Sequence, residues 1–555
     1  MASREVVVGI DFGTSNSSLS ISFPNKEVKT IRLDGEDNNL LRSIVKYSNS
    51  ETIVGRDAND LEAVCSGNVV FNAKRLIGRK YWDLEDSVKN KSGAEVVEDD
   101  DGYAAYDIPI IHKKVSPINV VSDIIKKIYK EALSATEGYT ISCVVVTYPA
   151  SYRQDQIAAT KTAVNSVIDV PVHLIKEPIA ASYTYLKVNG YNDVNRKNVL
   201  VYDLGGGTFD LSLIRIENQQ INVLKTAGND NIGGEHFDDL IVDYVIKEYE
   251  KNKGDKLMPE KVDENLMSEK EKEEARILYE RLLSYLRELC KKAKERLCMT
   301  EDEVPISIHS FMEKFREYNK STINRDYDDS ISVEDNEEDI VLTREQFERM
   351  IKNDIATTIQ TVENTLKDQR LKAEDIDEVV LIGGSSRIPY VRRKLKNVFG
   401  DILCYTIDPT ICVSYGAAAF GRERDLVEVN NIEGIKYDYY TLIYKKNGKI
   451  GRSIMIPKGS KFDRPVEKEY LIPASSEGCW TDSIYEGDIN DTKGEKELAS
   501  IEGSVTNWKD RRVIIKYIFT LYNDGLLHYK VVDEDSGKTI INEKAMSTRY
   551  QSKQH

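Results

Sequence analysis

A glycine-rich turn flanked by acidic residues is the part of this sequence best suited to chemistry. Residues 203–210 read DLGGGTFD and join one apolar stretch, 198–202, to another, 211–216. Glycine reaches positive φ at little cost and leaves its N–H groups open, so backbone amides in such a turn can close on a phosphate. Acidic residues at both ends can hold a hydrated divalent cation beside it. An ordinary glycine-rich hairpin is the alternative interpretation.

An earlier segment repeats this order of residue types. Residues 6–16 read VVVGIDFGTSN, where an apolar strand leads into an aspartate, a glycine and a threonine, and a second alternating run follows to Ile21. A duplicated unit of strand, acid, glycine and hydroxyl is typical of a two-lobed nucleotide clamp. The duplication therefore weakens the hairpin interpretation.

Composition narrows the class of protein. The 555 residues predict two or three compact units, and the net charge of −16 argues against nucleic acid or an anionic membrane as the main partner. The 7 cysteines are scattered and the 6 histidines do not cluster, so neither zinc nor a disulfide framework is expected. No apolar run is long enough to cross a bilayer, and a strand begins too early to leave room for a targeting peptide. We expect a reducing compartment, with the cytoplasm as the location.

The texture of the chain changes after residue 424. Before it, strands alternate with helical stretches in a mixed α/β rhythm, including a long charged helical segment at 263–297 and an acidic, solvated segment between 311 and 340. After it, alternating runs predominate, and two of them, 513–522 and 526–532, are joined by Asn523, Asp524 and Gly525. This is a strong hairpin signal and predicts a small β-sandwich.

Five segments, taken in order, give the chain a specific resemblance. They are 71–79 (FNAKRLIGR), 176–178 (KEP), 203–210 (DLGGGTFD), 233–235 (GGE) and 382–389 (IGGSSRIP). The chain resembles the seventy-kilodalton heat-shock chaperone family of the actin-like ATPase superfamily. The resemblance implies an α/β actin-like, ribonuclease H-like duplicated ATPase domain at 1–424 and a linker at 425–434. A small all-β sandwich domain at 435–545 and a tail at 546–555 would follow.

The resemblance also assigns roles to residues, with ATP or ADP and Mg²⁺, and K⁺ as a further candidate cation. Its catalytic set is Lys74, Glu177, Thr208 and Asp210, and its metal set, acting mostly through water, is Asp11 and Asp203. The nucleotide-contacting set is Gly13, Thr14, Ser15, Gly205, Gly206, Gly207, Gly233, Gly234, Glu235, Lys294, Gly383, Gly384, Ser385 and Arg387. Breaking the terminal phosphate of ATP needs charge neutralisation, an oriented water and a proton acceptor, and these residue types supply all three.

The adenosine end departs from the family pattern. Lys291, Glu295 and Cys298 stand where the resemblance places an acid, a stacking arginine and a serine, and Thr410 replaces a second acid. Arg296 lies one step from Glu295, which turns its side chain about 100° away on a helix. We therefore expect weaker or altered adenosine binding.

The surface that joins the two domains also departs from the family pattern. Ile157 replaces a coupling arginine, although Pro149 and Lys161 are retained. Glu428, Asn430 and Asn431 interrupt an apolar linker, so we expect the linker to remain undocked and peptide binding to be poorly coupled to hydrolysis. Because the chain ends at His555, we also expect the helical lid of typical members to be absent.

Two functions remain open. The first is an ATP-dependent chaperone that holds unfolded or extended polypeptides in its β-sandwich, with J-domain cochaperones and exchange factors as further partners and neither nucleic acid nor membrane as one. The alternative is a non-cycling regulator, cochaperone or nucleotide exchange factor of the same fold with weak or no ATPase activity. A sugar kinase or filament subunit is disfavoured, because segment 71–79 and the C-terminal β unit have no counterpart there.

Overall fold

A computed structural model describes most of the chain. The described residues are 4–35, 39–59, 67–89, 91–189, 196–217, 220–254, 256–259, 269–299, 302–322, 339–404, 408–424, 428–431, 435, 437–444, 450–461, 463–472, 479–489, 496–504, 513–522 and 526–545. Most of the predicted acidic segment, the turn at 523–525 and the predicted tail lie outside them. No helix among the described residues is long and apolar enough to span a membrane.

The N-terminal part mixes strands and helices. Its strands are β1 (Glu5–Asp11), β2 (Asn16–Ser22), β3 (Val28–Ile31), β4 (Leu40–Arg42), β5 (Val45–Tyr47), β6 (Thr52–Val54), β7 (Val69–Val70), β8 (Glu95–Glu98), β9 (Ala104–Ile108), β10 (Lys113–Val115), β11 (Thr140–Tyr148), β12 (Val172–Lys176), β13 (Lys197–Leu204), β14 (Phe209–Glu217), β15 (Gln220–Asn229), β16 (Glu303–Ile306), β17 (Ile340–Thr343), β18 (Glu378–Ile382), β19 (Leu403–Cys404) and β20 (Glu428–Asn431). Its helices are α1 (Ala73–Leu76), α2 (Asp86–Lys89), α3 (Pro117–Ala135), α4 (Gln154–Asn165), α5 (Glu177–Asn189), α6 (Gly234–Lys253), α7 (Glu269–Met299), α8 (Ile308–Thr322), α9 (Arg344–Met350), α10 (Lys352–Asp368), α11 (Pro389–Phe399) and α12 (Cys412–Glu423).

Two large sheets repeat one topology, as the duplicated motif predicted. The first sheet has the order β12-β11-β1-β2-β3, with β4 beside β2, and the second has the order β19-β18-β13-β14-β15-β20. In each, an antiparallel meander (β1 to β3, or β13 to β15) is extended by parallel strands on the side of its first strand. Both glycine-rich motifs therefore occupy the same turn, between the first and second strands of a meander.

Helices α5 and α12 pack against each other where apolar faces of the two sheets meet. Their buried residues form a cluster with residues of both sheets, among them Val145 of β11 and Val201 of β13. A Cβ atom built on Gly416 of α12 would lie 1.8 Å from the backbone oxygen of Ala180 in α5, so only glycine permits this crossing. The close crossing fixes the distance between the two halves of the site.

The C-terminal part is all β, as the alternating runs predicted. Its strands are β21 (Asp438–Tyr444), β22 (Ile450–Ile456), β23 (Val466–Ile472), β24 (Cys479–Gly487), β25 (Lys496–Ser504), β26 (Val513–Leu521), β27 (Leu527–Asp533) and β28 (Thr539–Ala545). They form two four-stranded sheets with the orders β22-β21-β24-β25 and β23-β26-β27-β28. A buried apolar cluster draws residues from both, including Trp480, Ile484, Tyr517 and Phe519, so the sheets enclose a sandwich core.

The linker is docked, contrary to the expectation from its composition. Strand β20 pairs in parallel with β15, with Gln220 opposite Glu428 and Val223 opposite Asn431. Strands pair through backbone N–H and C=O groups, which glutamate and asparagine carry as valine does. The prediction of an undocked linker rested on side-chain polarity and is therefore wrong for 428–431.

The sandwich also contacts the start of α4. Leu526 is buried in a cluster with Tyr148, Ile157 and Ala158. The backbone N–H of Leu527 donates to Oε1 of Gln154 at 2.9 Å. Ile157, at the position where the resemblance places a coupling arginine, thus makes an apolar contact with the C-terminal unit.

Candidate nucleotide-binding and hydrolytic site

The two glycine-rich turns face each other across the site. Gly13, Thr14 and Ser15 lie between β1 and β2, and a Cβ atom on Gly206, between β13 and β14, would lie 2.3 Å from Oγ of Ser15. The N–H of Gly205 donates to the carbonyl of Thr208 at 3.1 Å and closes the second turn. The structure thus brings together two motifs that are about 190 residues apart in the sequence.

Two predicted catalytic residues form a buried ion pair. Nζ of Lys74, on α1, donates to Oε1 of Glu177, the first residue of α5, at 2.6 Å. Both side chains are less than one tenth exposed. The same ammonium lies 5.8 Å from the ring centroid of Phe12, in the first turn.

The predicted aspartates lie on the strands beside this pair. Asp203 and Asp210 are directly opposite each other in the β13–β14 ladder. Asp11 ends β1 and accepts a hydrogen bond of 2.9 Å from Oγ1 of Thr147 on β11. Thr208 donates to Oδ2 of Asp210 at 3.0 Å, which orients that carboxylate.

The electrostatics of the cluster favour a bound cation. Burial raises the pKa of Asp11 and of Glu177, and it holds the pKa of Asp203 well above its usual range with the help of repulsion from Glu177. Although burial opposes the charge of Lys74, attraction by Glu177 and Asp11 raises the pKa of the ammonium. One lysine faces several carboxyl groups whose charged forms are disfavoured by burial and mutual repulsion, so a bound divalent cation would stabilise those charged forms.

The donor set fits magnesium held through water. Among the described residues, no group of three histidine, cysteine, aspartate or glutamate side chains is arranged as a direct metal cage. Mg²⁺ usually keeps several water ligands and binds one or two carboxylates together with substrate phosphates. Asp11 and Asp203 could bind the water ligands of such an ion.

The start of α6 is pinned to the second turn. The N–H groups of Gly234 and Glu235 donate to the carbonyls of Gly205 and Gly206 at 3.0 and 2.7 Å. A Cβ atom on Gly233 would lie 2.6 Å from the carbonyl carbon of Gly207. These amides therefore hold the turn in shape, and phosphate contacts would come from other groups of the two turns.

The side chain of Glu235 crosses to the first half of the site. It accepts hydrogen bonds of 3.3 Å from Oγ of Ser15 and from Nδ2 of Asn72. Arg75 reaches across in the other direction and donates to the carbonyls of Gly207 and Asp230. Asn72 and Arg75 were not predicted as site residues, although both lie in segment 71–79.

The predicted adenosine residues come together on the other side of the second turn. Nζ of Lys294, on α7, contacts Oδ1 of Asp238 at 2.7 Å and donates to the carbonyl of Gly234 at 2.8 Å. A Cβ atom on Gly234 would lie 2.7 Å from Oγ of Ser385. Asp238 was missed because its partner is 56 residues away in the sequence.

The loop after β18 approaches the aspartate cluster. Gly383 has φ of 79°, and a Cβ atom there would lie 2.4 Å from the carbonyl oxygen of Leu204, so glycine is required. Gly384 follows, with open space around its Cβ position. The loop is therefore held closely against the end of β13 at Gly383 and is open at Gly384.

Arg387 is paired within the protein. Its guanidinium forms an ion pair with Asp408 and lies 3.4 Å from Oγ1 of Thr410. Burial opposes the charge of Asp408, but the bonds from Thr410 and Arg387 lower its pKa below the usual range. Thr410, the replacement for a predicted acid, thus supports the carboxylate of Asp408.

Helix α7 carries the three residues that depart from the family pattern, Lys291, Glu295 and Cys298. Burial, with repulsion from Arg42, lowers the pKa of Lys291. Glu295 is exposed, and the Cys298 thiol is partly exposed, with a pKa raised by burial to about 11. Glu295 therefore places a carboxylate where the resemblance leads us to expect a stacking guanidinium.

Comparison with known proteins agrees with these motifs. The family model described as Hsp70 protein matches residues 7–423. The stromal 70 kDa heat shock-related protein, chloroplastic, of Pisum sativum is 28% identical over 537 residues, which cover 96% of this chain and 69% of that protein. The heat shock 70 kDa protein 6, chloroplastic, of Arabidopsis thaliana is 29% identical over 543 residues, or 96% of this chain and 68% of that protein. The chain belongs to the Hsp70 protein family.

Proposed function

We propose that this protein is an ATP-dependent molecular chaperone that hydrolyses ATP slowly with Mg²⁺ and holds unfolded or extended polypeptides. The observation that carries the hydrolytic part is the buried Lys74–Glu177 pair, 2.6 Å long, beside carboxylates on two facing glycine-rich turns. Burying a lysine among several carboxylates costs stability, and clusters of such perturbed groups are typical of functional sites. Members of the family are ATPases in general, which supports the same conclusion.

Each group of the cluster has a task in hydrolysis. Lys74 would place its ammonium at the terminal phosphate, where negative charge shifts during the reaction. Glu177 and Asp210 would orient the attacking water and accept its proton, and the bond from Thr208 would keep Asp210 in place. When bound, Mg²⁺ would neutralise charge on the phosphates. Asp11 and Asp203 would hold its water ligands.

The sandwich offers a place for an extended peptide. Strands β22 and β23 are edge strands of the two sheets, and Oγ of Ser453 and the Tyr470 hydroxyl join them at 2.9 Å. Leu442 on β21, Ile450 on β22 and Leu471 on β23 are exposed apolar side chains. Edge strands with nearby apolar side chains can bind an extended chain through its backbone and its apolar residues. J-domain cochaperones and exchange factors are the further partners that we propose.

Peptide binding can be tested at Leu442. We expect the chain to bind a fluorescein-labelled unfolded peptide, and Leu442→Asp to weaken binding about tenfold or more, because a carboxylate would oppose apolar side chains of the peptide. Leu133→Asp is the matched control: it changes a leucine on α3 that is 52% exposed, where Leu442 is 38% exposed. Fluorescence anisotropy measures both. If both variants bind the peptide as tightly as the wild-type chain, the surface around Leu442 is not the peptide-binding site.

The adenosine end can be tested at Glu295. We expect Glu295→Arg to tighten ATP binding several-fold, because a stacking guanidinium contributes about 1 to 2 kcal/mol where it is desolvated. Isothermal titration calorimetry gives the dissociation constant. Glu280→Arg lies on the same helix about 22 Å away and should leave that constant unchanged. Unchanged affinity of Glu295→Arg, with ATP already bound tightly, would mean that another group holds the base.

A non-cycling regulator or exchange factor of the same fold is the second candidate. The observations that favour it are the identities of Lys291, Glu295 and Cys298 on α7 and the pairing of Arg387 with Asp408. Such a protein would bind nucleotide weakly and release no phosphate. Calorimetry and phosphate release, measured on the same preparation, distinguish the two candidates.

A further inference from the structure

A tyrosine outside the proposed catalytic set bonds directly to the catalytic lysine. The Tyr152 hydroxyl, in the segment between β11 and α4, donates to the backbone carbonyl of Lys74 at 2.7 Å. Tyr152 is 78 residues away from Lys74 in the sequence, so the bond ties two separate parts of the first half of the molecule. The bond therefore restrains the backbone of Lys74, the residue whose ammonium contacts Glu177.

The backbone that carries Lys74 is short and needs support from its surroundings. Helix α1 contains only residues Ala73–Leu76, and its N-cap, Asn72, has φ of 56°, in the left-handed region. A single helical turn forms few internal hydrogen bonds and is not stable by itself. Contacts from elsewhere must therefore fix the direction in which Lys74 points.

A second contact joins the same two segments. Gly78, just after α1, has φ of +70°, and a Cβ atom there would lie 2.5 Å from the backbone oxygen of Asp155 at the start of α4. The backbones after Lys74 and after Tyr152 are therefore in direct contact. The hydroxyl bond at Lys74 and the close approach at Gly78 hold α1 at both ends.

The ring of Tyr152 is itself held in place. It stacks on Tyr148 with ring centroids 6.5 Å apart and planes 26° apart. It also packs against the cluster that contains Ile157 and Leu526. Burial and the nearby carboxylate of Glu177 hold the pKa of Tyr152 well above its usual range, so the hydroxyl keeps its proton and remains a donor.

We propose that Tyr152 is a positioning residue for hydrolysis: its hydroxyl fixes the backbone of Lys74 and thereby aims the ammonium at the reacting phosphate. The proposal rests on the ATPase function proposed above. Tyr152 acts through Lys74, so its loss should slow the chemical step and leave ATP affinity almost unchanged. A misplacement of about 1 Å at a catalytic group can cost up to about a hundredfold in rate.

The test is Tyr152→Phe in the full chain, which removes one oxygen atom and keeps the ring. We expect kcat to fall about tenfold, the calorimetric dissociation constant of ATP to stay within about twofold, and hydrogen exchange across residues 73–79 to quicken in the nucleotide-free protein. Tyr129→Phe is the matched control, since it removes a tyrosine hydroxyl on α3 that donates to Asp169 at 3.0 Å. It should change none of the three quantities.

The outcomes separate this proposal from the proposed function. If the unchanged chain hydrolyses ATP and Tyr152→Phe does so at an equal rate, the positioning role is wrong and the ATPase assignment stands. If the wild-type chain releases no phosphate, the ATPase assignment fails. Hydrogen exchange at 73–79 that is equally slow in Tyr152→Phe and in the wild-type chain would show that the Tyr152 hydroxyl does not fix the backbone of Lys74. A fall in affinity equal to the fall in kcat would contradict an effect through Lys74 alone.

Discussion

Lys74→Ala is expected to abolish ATP turnover while leaving nucleotide binding largely intact. The ammonium lies 2.6 Å from Glu177 and faces the reacting phosphate in our proposal, whereas the rest of the nucleotide would contact the glycine-rich turns and the residues around Lys294. Loss of a contact that strengthens only in the transition state lowers kcat and leaves binding almost unchanged. We expect a fall of at least a hundredfold, measured as phosphate release, with an unchanged calorimetric affinity.

Lys80→Ala is the matched control for this prediction. Its ammonium is in the same part of the chain but donates to the carbonyl of Asp101 at 2.7 Å and lies over the ring of Tyr103. It should retain turnover near the unchanged level. A Lys74→Ala protein that hydrolyses ATP as fast as the Lys80→Ala protein would overturn the assigned role of Lys74.

Leu526→Asp is expected to release the β-sandwich from the N-terminal part. Leu526 is only 3% exposed and packs on Tyr148, Ile157 and Ala158, outside the core cluster of the sandwich itself. Burying an unpaired carboxylate there costs several kcal/mol, which exceeds what any one hydrogen bond across this contact, such as the bond from Leu527 to Gln154, contributes. We expect a larger radius of gyration by small-angle scattering and faster hydrogen exchange at the start of α4.

Leu471→Asp controls for the added charge, because Leu471 is 61% exposed on the same sandwich. It should leave both the radius of gyration and the exchange unchanged. If Leu526→Asp stays as compact as this control, with slow exchange in α4, the apolar contact does not hold the two parts together.

The contact between the two parts could be predicted only in part from the sequence. Ile157 was recognised as a departure from a family arginine, but its partner Leu526 lies more than 350 residues away and has no local signal. The linker was predicted to be undocked because its side chains are polar. That prediction is wrong because β20 pairs with β15 through backbone groups. The prediction that peptide binding and ATP hydrolysis are poorly coupled rested in part on an undocked linker. It no longer has that support, and it stays a prediction.

The fold followed from the sequence wherever a local pattern repeats. The duplicated acid and glycine motifs predicted matching turns in two related sheets, and the alternating runs predicted the sandwich. At Gly206, the hydroxyl of Ser15 from the opposite turn lies within 2.3 Å of the Cβ position, a close approach that the motif by itself does not predict. Periodicity and turn chemistry are local properties, so they can be read without tertiary structure.

The candidate site was less predictable where side chains bond across the molecule. The bond of Tyr152 to the carbonyl of Lys74, the ion pair of Asp238 with Lys294 and the pairing of Arg387 with Asp408 each join residues brought together by folding. Motif resemblance placed Lys74, Glu177 and the aspartates correctly near one another. It could not give the partners that orient them, because those partners lie outside the motifs.

Steady-state phosphate release by the purified chain, in Mg²⁺ and ATP with and without a saturating unfolded peptide, tests the central claim most directly. We predict slow release that is well above the level of Lys74→Ala in both conditions and that stops when EDTA removes the Mg²⁺. Release by the unchanged chain that never exceeds the level of Lys74→Ala, with peptide or without it, would contradict the assignment of this protein as an ATP-hydrolysing chaperone.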